Sequence, residues 1–402
     1  MPQLHRVLTL IGWAFWLHAW GYRGVDRRDI LIVGVAFGLS ALLWAILSRK
    51  VWASLLIMGT GALLCLADGG MLKLLPRLEI SYSQVSSGLW FTLLGRGIAL
   101  ALANGLALLG LGLWRLVRGR RAWRWGAWII LVGQLLTSAC FLDMWLIEPL
   151  SVSVTRVELL SEKLSPDAPP LRVIQLSDIH LVTYGPRERR VVARVNQLHP
   201  DLILLTGDYV NAQGRESFSA LRQMLGALKA PYGIYAVTGN VDLSLGVMEP
   251  WAFEPAGVRV LHDEVVDLEI HGQPIQIVGL SAHGSVLSGL RQMEKLEEQP
   301  SDRFRLLLFH YPDFIKLAPR AHVDLYLAGH THGGQVRLPF YGALLIDSLW
   351  EEDYEMGRYD VEGTTLFVSR GIGFSGGYEP QVRFRCPPEV VLITLKGTQA
   401  LD

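Results

Sequence analysis

Apolar residues fill long runs in the first 150 positions of the chain. Five runs, interrupted mainly by glycine, tryptophan and isolated polar residues, cover about residues 5–21, 30–47, 51–67, 89–114 and 125–147. A helix that crosses a bilayer needs about 20 predominantly apolar residues, whereas a helix in a soluble core keeps a polar face that these runs lack. The pattern therefore predicts an N-terminal α-helical transmembrane bundle of about five spans over residues 1–147.

The pattern changes after residue 170 to short β-branched runs that alternate with amphipathic stretches. It predicts strands near residues 171–176, 201–207, 233–239, 265–271, 274–280, 304–309, 323–328, 364–368 and 390–395. It predicts helices near residues 186–199, 216–229, 285–297 and 312–318. This order is typical of an α/β fold in which sheets pack on each other beneath helices. We expect the domain to occupy residues 171–396, and we interpret the polar, proline-bearing residues 148–170 as a linker.

Charge divides the chain at nearly the same place. Residues 1–150 hold 14 Lys/Arg and 6 Asp/Glu, so a formally neutral chain of 402 residues combines a basic half with an acidic half. Five arginines lie between the fourth and fifth runs: Arg115, Arg118, Arg120, Arg121 and Arg124. Because membrane loops rich in Lys and Arg face the cytoplasm, five spans place the second domain outside the cytoplasm. A miscount of one span would reverse this orientation.

Potential metal ligands stand where the predicted strands end. Asp178 and His180 follow the first strand in LSDIH, and side chains two residues apart on extended backbone point to the same face. Later strand ends carry Asp208, Asn240, His310, His330 and His332. The site of an open α/β sheet lies beyond the carboxyl ends of its strands, so these seven side chains should converge. Asp242 could orient one of them or cap a helix.

This set of side chains favours a pair of divalent cations. Buried carboxylates and imidazoles need compensation, which such cations supply. Mixed nitrogen and oxygen ligands favour Mn, Fe or Zn over Ca or a purely oxygen-ligated Mg. Two ions held ~3.5–4 Å apart stabilise the attacking and leaving oxygens together and lower the pKa of a water between them. The sequence therefore predicts metal-dependent hydrolysis of a phosphate ester.

The motifs LSDIH, TGD, TGNVD, FHYPD and GHTHGGQ resemble those of the calcineurin-like metallophosphoesterase family, particularly its membrane-associated bacterial branch. The resemblance covers about residues 171–396 and implies a four-layer αββα sandwich with two divalent metal ions. It implies that the first ion is held by Asp178, His180, Asp208 and His332. It also implies that Asp208 bridges to a second ion, whose other ligands are Asn240, His310 and His330.

One position departs from the family pattern. The motif commonly continues G-N-H-D/E, and Val241 replaces a histidine that usually interacts with the phosphate and assists departure of the leaving group. Three interpretations are open: substrates with good leaving groups such as pyrophosphates, a substitute group for which His283 is the candidate, or a catalytically weak metal-binding module. The candidate catalytic residues are therefore Asp208, Asn240 and His283.

The expected protein is a membrane-anchored phosphoesterase of the bacterial inner membrane, with its catalytic domain on the extracytoplasmic side. Its expected partners are the membrane and a phosphorylated, lipid-linked or envelope-derived substrate, without nucleic acid; the oligomeric state stays open. One alternative is a pyrophosphatase of the kind that cleaves UDP-2,3-diacylglucosamine in lipid A synthesis, because those enzymes resemble this family and also depart from histidine at this position. Further alternatives are a metal-binding membrane sensor or scaffold, and transport through the helices.

Overall fold

The computed structural model describes residues 35, 38–40, 42, 51–79, 92, 95–100, 102–106, 110, 126–211, 214–242, 249–282, 286–343, 346, 354–374 and 381–398. Helices α1 (Val51–Leu74) and α2 (Gly126–Leu142) occupy the third and fifth predicted spans. Helical turns continue α2 to Leu150, and Trp128–Leu150 is the one stretch among the described residues that is long and apolar enough to cross a membrane. The first predicted span lies outside the described residues, the second lies largely outside them and about half of the fourth does, so the five-span bundle stays a prediction.

Polar side chains connect the helical segments to one another. The buried guanidinium of Arg96 pairs with Asp68 of α1. It also donates to the Gln134 backbone carbonyl at 3.3 Å and to the Ser138 hydroxyl at 2.6 Å, both on α2. Apolar surroundings strengthen the need for such partners, because an unpaired polar group there loses its hydration without compensation. Residues 95–100 are therefore held against α1 and α2.

Two six-stranded sheets form the centre of the structure after residue 150, and their strands are numbered here in chain order. The first sheet has the spatial order β1 (Ser153–Ser161), β14 (Glu389–Gly397), β2 (Leu171–Leu176), β3 (Leu202–Leu205), β4 (Ile234–Ala236) and β5 (Val258–Val260). The second has the order β12 (Gly357–Val361), β13 (Thr364–Val368), β9 (Leu325–Ala328), β8 (Phe304–Leu308), β7 (Gln273–Gly279) and β6 (Glu264–Ile270). Strands β2 to β5 are parallel, as are β7, β8, β9 and β13. A short hairpin, β10 (Arg337–Leu338) and β11 (Gly342–Ala343), lies outside both sheets.

Alternation along the strands places the sheets face to face. Val173 of β2 packs in the same buried cluster as Ile277 of β7 and Leu306 of β8. Its neighbour Ile174 points the opposite way, into the cluster that contains Val191 of a covering helix. Successive side chains of a strand point to opposite faces, so each sheet has an inner apolar face and an outer one. The inner faces form the central core.

Helices cover the two outer faces. Helices α3 (Pro186–Gln197), α4 (Arg215–Gly226) and α5 (Glu249–Phe253) lie on the first sheet, and α6 (Val286–Glu297) lies on the second. The result is a mixed α/β sandwich with the layer order helix, sheet, sheet, helix. The predicted helix at 312–318 is wrong: prolines 312 and 319 bound this segment, which forms successive turns that bury Phe314 and Ile315 against the second sheet.

One part of the predicted linker belongs to the first sheet. Strand β1 pairs in parallel with β14 from Ser153 opposite Glu389 to Ser161 opposite Gly397. Its Val157 and Leu159 are buried, while the intervening side chains are exposed or half-buried. Burial alternates in this way in an edge strand because one of its faces meets the core and the other meets solvent. The sandwich therefore begins at Ser153, directly after the helical turns that end at Leu150.

Candidate metal centre

The seven predicted ligands lie together at the carboxyl ends of the parallel strands β2, β3, β4, β8 and β9. Asp178 and His180 follow β2, and Asp208 follows the adjacent strand β3. The two loops run side by side, with the Asp178 N–H donating to the Gly207 carbonyl at 2.9 Å and the His180 N–H donating to the Asp208 carbonyl at 3.0 Å. The remaining ligands follow β4, β8 and β9: Asn240, His310, His330 and His332. The parallel strands of both sheets therefore deliver their carboxyl ends to one place, as the sequence predicted.

Backbone strain is concentrated at these positions. Five of the seven predicted ligands have positive φ, a conformation that residues other than glycine rarely adopt: Asp178, His180, Asp208, His330 and His332. Each such residue costs about 1–3 kcal/mol, and the strain persists only where the surrounding structure or a function enforces it. Further residues of the described structure also have positive φ, but five of them meet in this one place, which favours a functional site.

Asp178, His180 and His332 form the first group. Their ligand atoms all lie within 4.8 Å of one another. His180 Nε2 and His332 Nε2 are 3.1 Å apart, and His332 Nε2 is 3.3 Å from Asp178 Oδ1. All three side chains are buried, so solvent cannot separate these atoms. Two ring nitrogens and a carboxylate oxygen thus face the same small volume.

His310 centres the second group. Its Nε2 lies 3.0 Å from Asn240 Oδ1 and 3.3 Å from Asp208 Oδ2. The same Asn240 oxygen is 3.1 Å from His330 Nδ1. Asp208 Oδ2 is also 3.5 Å from His180 Nε2 of the first group. This carboxylate oxygen therefore lies between the two groups, where a bridging ligand would have to be.

Hydrogen bonds outside the centre set the tautomers of two histidines. His180 Nδ1 lies 2.6 Å from Asn211 Oδ1, and the Asn211 amide nitrogen donates to the Phe374 carbonyl, so the Asn211 oxygen must accept. His310 Nδ1 likewise donates to the Thr206 carbonyl at 2.7 Å. In each neutral ring the proton is held on Nδ1, which leaves the Nε2 lone pair directed into the centre. The contact of Asn211 with His180 was not identified from the sequence.

These contacts test whether metal ions fit the centre. The atoms that face one another at about 3 Å are carboxylate or amide oxygens and imidazole nitrogens, and such atoms repel one another unless a proton or a metal cation lies among them. The ligand types are those that borderline divalent ions prefer. The described residues therefore fit two divalent cations.

Electrostatics follow from burial and from close opposite charges. Burial raises the pKa of Asp178. Burial would also raise that of Asp208, but the charge and hydrogen bond of His310 outweigh it and lower this pKa. Burial and the charge of His310 lower the pKa of His330 to about 3. Burial and the charge of His180 hold the pKa of His332 well below its usual value. His330 and His332 are thus neutral at physiological pH, as metal ligation requires.

Metal loading should release a proton from His310. Burial alone would lower the pKa of this imidazole, but Asp208 and Asp178 raise it to about 10, so the metal-free protein carries an imidazolium at neutral pH. Only the deprotonated ring can bind a metal. We expect the apparent Mn²⁺ affinity to rise about tenfold per pH unit between roughly pH 7 and 9. Titration calorimetry in buffers of different ionisation enthalpy measures the released proton, and a flat affinity would contradict the protonated state.

Asp242 joins the two loops that carry Asp208 and Asn240. Its Oδ2 accepts from the N–H groups of Asp208 at 2.7 Å and Gly239 at 2.8 Å, and its Oδ1 accepts from the Tyr209 N–H at 3.0 Å. The carboxylate is buried. Asp242 therefore positions the two loops that carry Asp208 and Asn240. This agrees with one of the two roles inferred from the sequence, which was to orient a ligand without binding the metal itself.

We expect Asp242→Asn to weaken metal binding by about 10–100-fold while the fold persists. An amide offers one accepting oxygen where the carboxylate offers two, and its NH₂ group would face a backbone donor. Metal content after dialysis and the Mn²⁺ dissociation constant measure the effect. Asp302→Asn, at an exposed position, is the matched control. Unchanged metal affinity in Asp242→Asn would contradict the orienting role.

Cys386 connects the loop that carries His332 to the helical turns that follow α2. Cys386 Sγ donates to the His332 carbonyl at 3.3 Å. The backbone N–H groups of Arg385 and Cys386 donate to the carboxylate of Glu148, which lies in the helical turns that follow α2. The end of the apolar helix is therefore connected to the predicted metal ligand His332 through Glu148 and Cys386.

Two further sequence predictions concern Val241 and His283. Val241 contributes its backbone N–H, which donates to Asp208 Oδ1 at 2.9 Å, so this position supports the Asp208 carboxylate without a histidine. His283 lies outside the described residues, and its role as a substitute stays a prediction.

Comparison with known proteins agrees with this geometry. A family model described as calcineurin-like phosphoesterase matches residues 171–334. The sequence is 31% identical to the metallophosphoesterase YkuE of Bacillus subtilis (strain 168), over 63% of this chain and 88% of that protein. It is 28% identical to phosphodiesterase YaeI of Escherichia coli (strain K12), over 57% of this chain and 83% of that protein. It is 31% identical to a transmembrane protein with metallophosphoesterase domain from Danio rerio, over 60% of this chain and 57% of that protein.

The fold and the site define a metal-dependent phosphoester hydrolase. The chain belongs to the calcineurin-like metallophosphoesterase family, which confirms the resemblance seen in the sequence motifs.

Proposed function

We propose that this hydrolase is anchored in a membrane by residues 1–147 and that it cleaves a phosphate ester or pyrophosphate with two divalent ions. The observation that carries the proposal is the position of Asp208 Oδ2, 3.5 Å from His180 Nε2 and 3.3 Å from His310 Nε2. A single carboxylate oxygen between two groups of inward-facing ligands favours a shared, bridging role.

The proposed ligand sets follow the two groups. Asp178, His180, Asp208 and His332 would hold the first ion, and Asp208, Asn240, His310 and His330 would hold the second. When bound, the ions polarise the phosphoryl group and lower the pKa of the attacking water. The protein's contribution is to hold the ligands in place through Asn211, Thr206 and Asp242. Mn, Fe or Zn suits these nitrogen and oxygen donors.

Membrane anchoring is supported by the surface of the helices. Leu66 of α1 is 74% exposed and Leu136 of α2 is 62% exposed, and further large apolar side chains of residues 35–147 are exposed as well. A water-soluble protein rarely exposes contiguous apolar surface of this kind. The Danio rerio relative is itself named a transmembrane protein. We propose the bacterial inner membrane as the location, with the catalytic domain on the extracytoplasmic side, and a reporter fused after Asp402 tests the orientation.

Val241 favours substrates that need little help from a general acid. A pyrophosphate or activated diester has a good leaving group, so its cleavage depends less on a proton donor. UDP-2,3-diacylglucosamine is one such pyrophosphate, so a pyrophosphatase that cleaves it is an alternative form of the proposed function. A catalytically weak metal-binding sensor is the second candidate, because the same substitution would also follow from loss of catalysis.

The test uses the full chain in detergent with Mn²⁺, since Glu148 connects the helical end to the metal centre. We expect turnover of bis-p-nitrophenyl phosphate and of UDP-2,3-diacylglucosamine to exceed that of alkyl phosphates. Two bound metals without turnover of any substrate would favour the sensor and overturn the proposed function.

Val241→His should raise turnover of poor leaving groups by about 10²-fold, because it restores a proton donor beside the bridging carboxylate. Turnover of bis-p-nitrophenyl phosphate should change little, since p-nitrophenolate leaves without protonation. Rates measured across a series of leaving groups check both statements. An unchanged rate would show that another group supplies the proton, and His283→Ala then tests whether His283 is that group.

A further inference from the structure

A short hairpin next to the metal centre exposes an aromatic side chain. Strands β10 and β11 pair Arg337 with Ala343 and Leu338 with Gly342, so the turn consists of residues 339–341. Phe340, at the tip, is fully exposed and has a φ of 64°. Leu338 beside it is 37% exposed. We call Arg337–Ala343 the Phe340 hairpin. A strained backbone that holds a large apolar ring in water points to a surface that is covered in use.

The base of the Phe340 hairpin is attached to the loop that bears His332. The Arg337 guanidinium donates to the Gly333 carbonyl at 2.8 Å and pairs with Glu355 at 2.7 Å. The Arg337 N–H donates to the Phe384 carbonyl at 2.9 Å. The hairpin therefore cannot change position independently of the residues beside the predicted ligand.

The same base touches the ends of the apolar helices. A buried cluster joins residues of the helical region to residues that flank the hairpin: Leu72, Leu75, Phe141, Met144, Trp145, Val336 and Val382. Val336 immediately precedes the hairpin. Helix α1 ends in this cluster, with Lys73 and Arg77 at its end, and α2 continues through it to Leu150. Basic residues at the end of an apolar helix mark the level of the lipid headgroups. The hairpin thus starts at the level where the helices leave the bilayer.

We propose that the Phe340 hairpin inserts into the headgroup region of the bilayer that anchors the helices, and that it holds the metal centre against a phosphorylated lipid in the same membrane. The proposal rests on the proposed function and names its substrate class. Phe340 and Leu338 are exposed apolar side chains of the kind that enter the boundary between headgroups and acyl chains, while Lys73 and Arg77 at the nearby helix end suit the headgroups. Continuity with the helix ends favours lipid as the occupant over a protein partner.

Photo-crosslinking identifies the occupant directly. The full chain, with p-benzoylphenylalanine at position 340, is reconstituted in vesicles of phosphatidylethanolamine and phosphatidylglycerol and irradiated. We expect lipid adducts by mass spectrometry, at a yield at least about fivefold above that of the same probe at position 265. Val265 is a suitable control because it is 46% exposed on β6, at the edge of the second sheet. An absence of lipid adducts at 340, equal yields at both positions, or crosslinks to a protein would each overturn the proposal.

A second measurement separates this proposal from the proposed function. Phe340→Asp in detergent should turn over bis-p-nitrophenyl phosphate within about twofold of the parent chain, because the side chain contacts solvent and none of the predicted ligands. The crosslinking result is independent of turnover. A parent chain that binds lipid at position 340 but hydrolyses nothing would therefore contradict the proposed function alone, whereas an active parent chain without lipid adducts would contradict the hairpin's role alone.

Discussion

Asp208→Asn is expected to lower turnover by at least about 10³-fold and to abolish the two-metal state together. In the parent chain, Asp208 Oδ1 accepts the Val241 N–H at 2.9 Å, while Oδ2 faces His180 and His310. An asparagine that keeps the first contact must turn its NH₂ group toward the two ring nitrogens. A donor in that position cannot bridge two cations, and the bridging negative charge is lost as well.

Metal content by elemental analysis and turnover of bis-p-nitrophenyl phosphate check this prediction in parallel. Asp267→Asn is the matched control, because Asp267 is an exposed carboxylate on β6. Its metal content and rate should equal those of the parent chain. Two ions per chain in Asp208→Asn, or retained turnover, would show that Asp208 does not bridge.

Gly373→Ala is expected to unfold the metal centre without removing any ligand. A Cβ atom at this position would lie 2.1 Å from the Ile179 carbonyl oxygen and 2.7 Å from the His180 Cβ. Neither neighbour is the end of a flexible side chain, so the segment from Asp178 to His180 must shift. Such overpacking costs about 3 kcal/mol, which lowers the melting temperature by roughly 6–12 °C for a domain of this size.

Calorimetry of the metal-free protein and the Mn²⁺ affinity measure the two parts of this effect. Gly226→Ala is the control, because a Cβ at the end of α4 meets no atom within 4 Å. Its stability should stay within about 0.5 kcal/mol of the parent chain. A melting temperature of Gly373→Ala equal to that of the control would contradict the close packing of residue 373 on the Asp178 loop.

The convergence of the seven candidate side chains could be predicted because their sequence positions determine their place in the fold. Asp178, Asp208 and Asn240 each follow an apolar β-branched run, and parallel strands bring their carboxyl ends to one edge. The two histidines of the GHTHGGQ motif follow β9 in the same way. Here the local pattern and the global fold agree, so strand prediction was sufficient to bring these side chains together, whereas their division between two ions came from the family resemblance.

Contacts that depend on loop packing could not be predicted. Asn211 reaches His180 because the loops after β2 and β3 continue side by side, with a bridge between Leu181 and Val210. Cys386 meets the His332 carbonyl although 54 positions separate them. The periodicity of the sequence does not predict either contact, because each depends on how the loops pack in the tertiary structure.

Strand β1 was missed for a different reason. Its sequence alternates only weakly, and a polar proline-bearing segment follows it, so the composition resembled a linker. The stabilisation of β1 comes from the nine residue pairs that it forms with β14, a strand more than 200 positions away. Edge strands of this kind are defined by their neighbour and are therefore difficult to recognise from local sequence.

Anomalous diffraction from crystals of the full chain loaded with Mn²⁺ tests the central claim most directly. We predict two peaks ~3.5–4 Å apart, with Asp208 coordinating both ions. The first peak should contact Asp178, His180 and His332, and the second Asn240, His310 and His330. No bound metal, a single ion, or ions outside this group of side chains would contradict it.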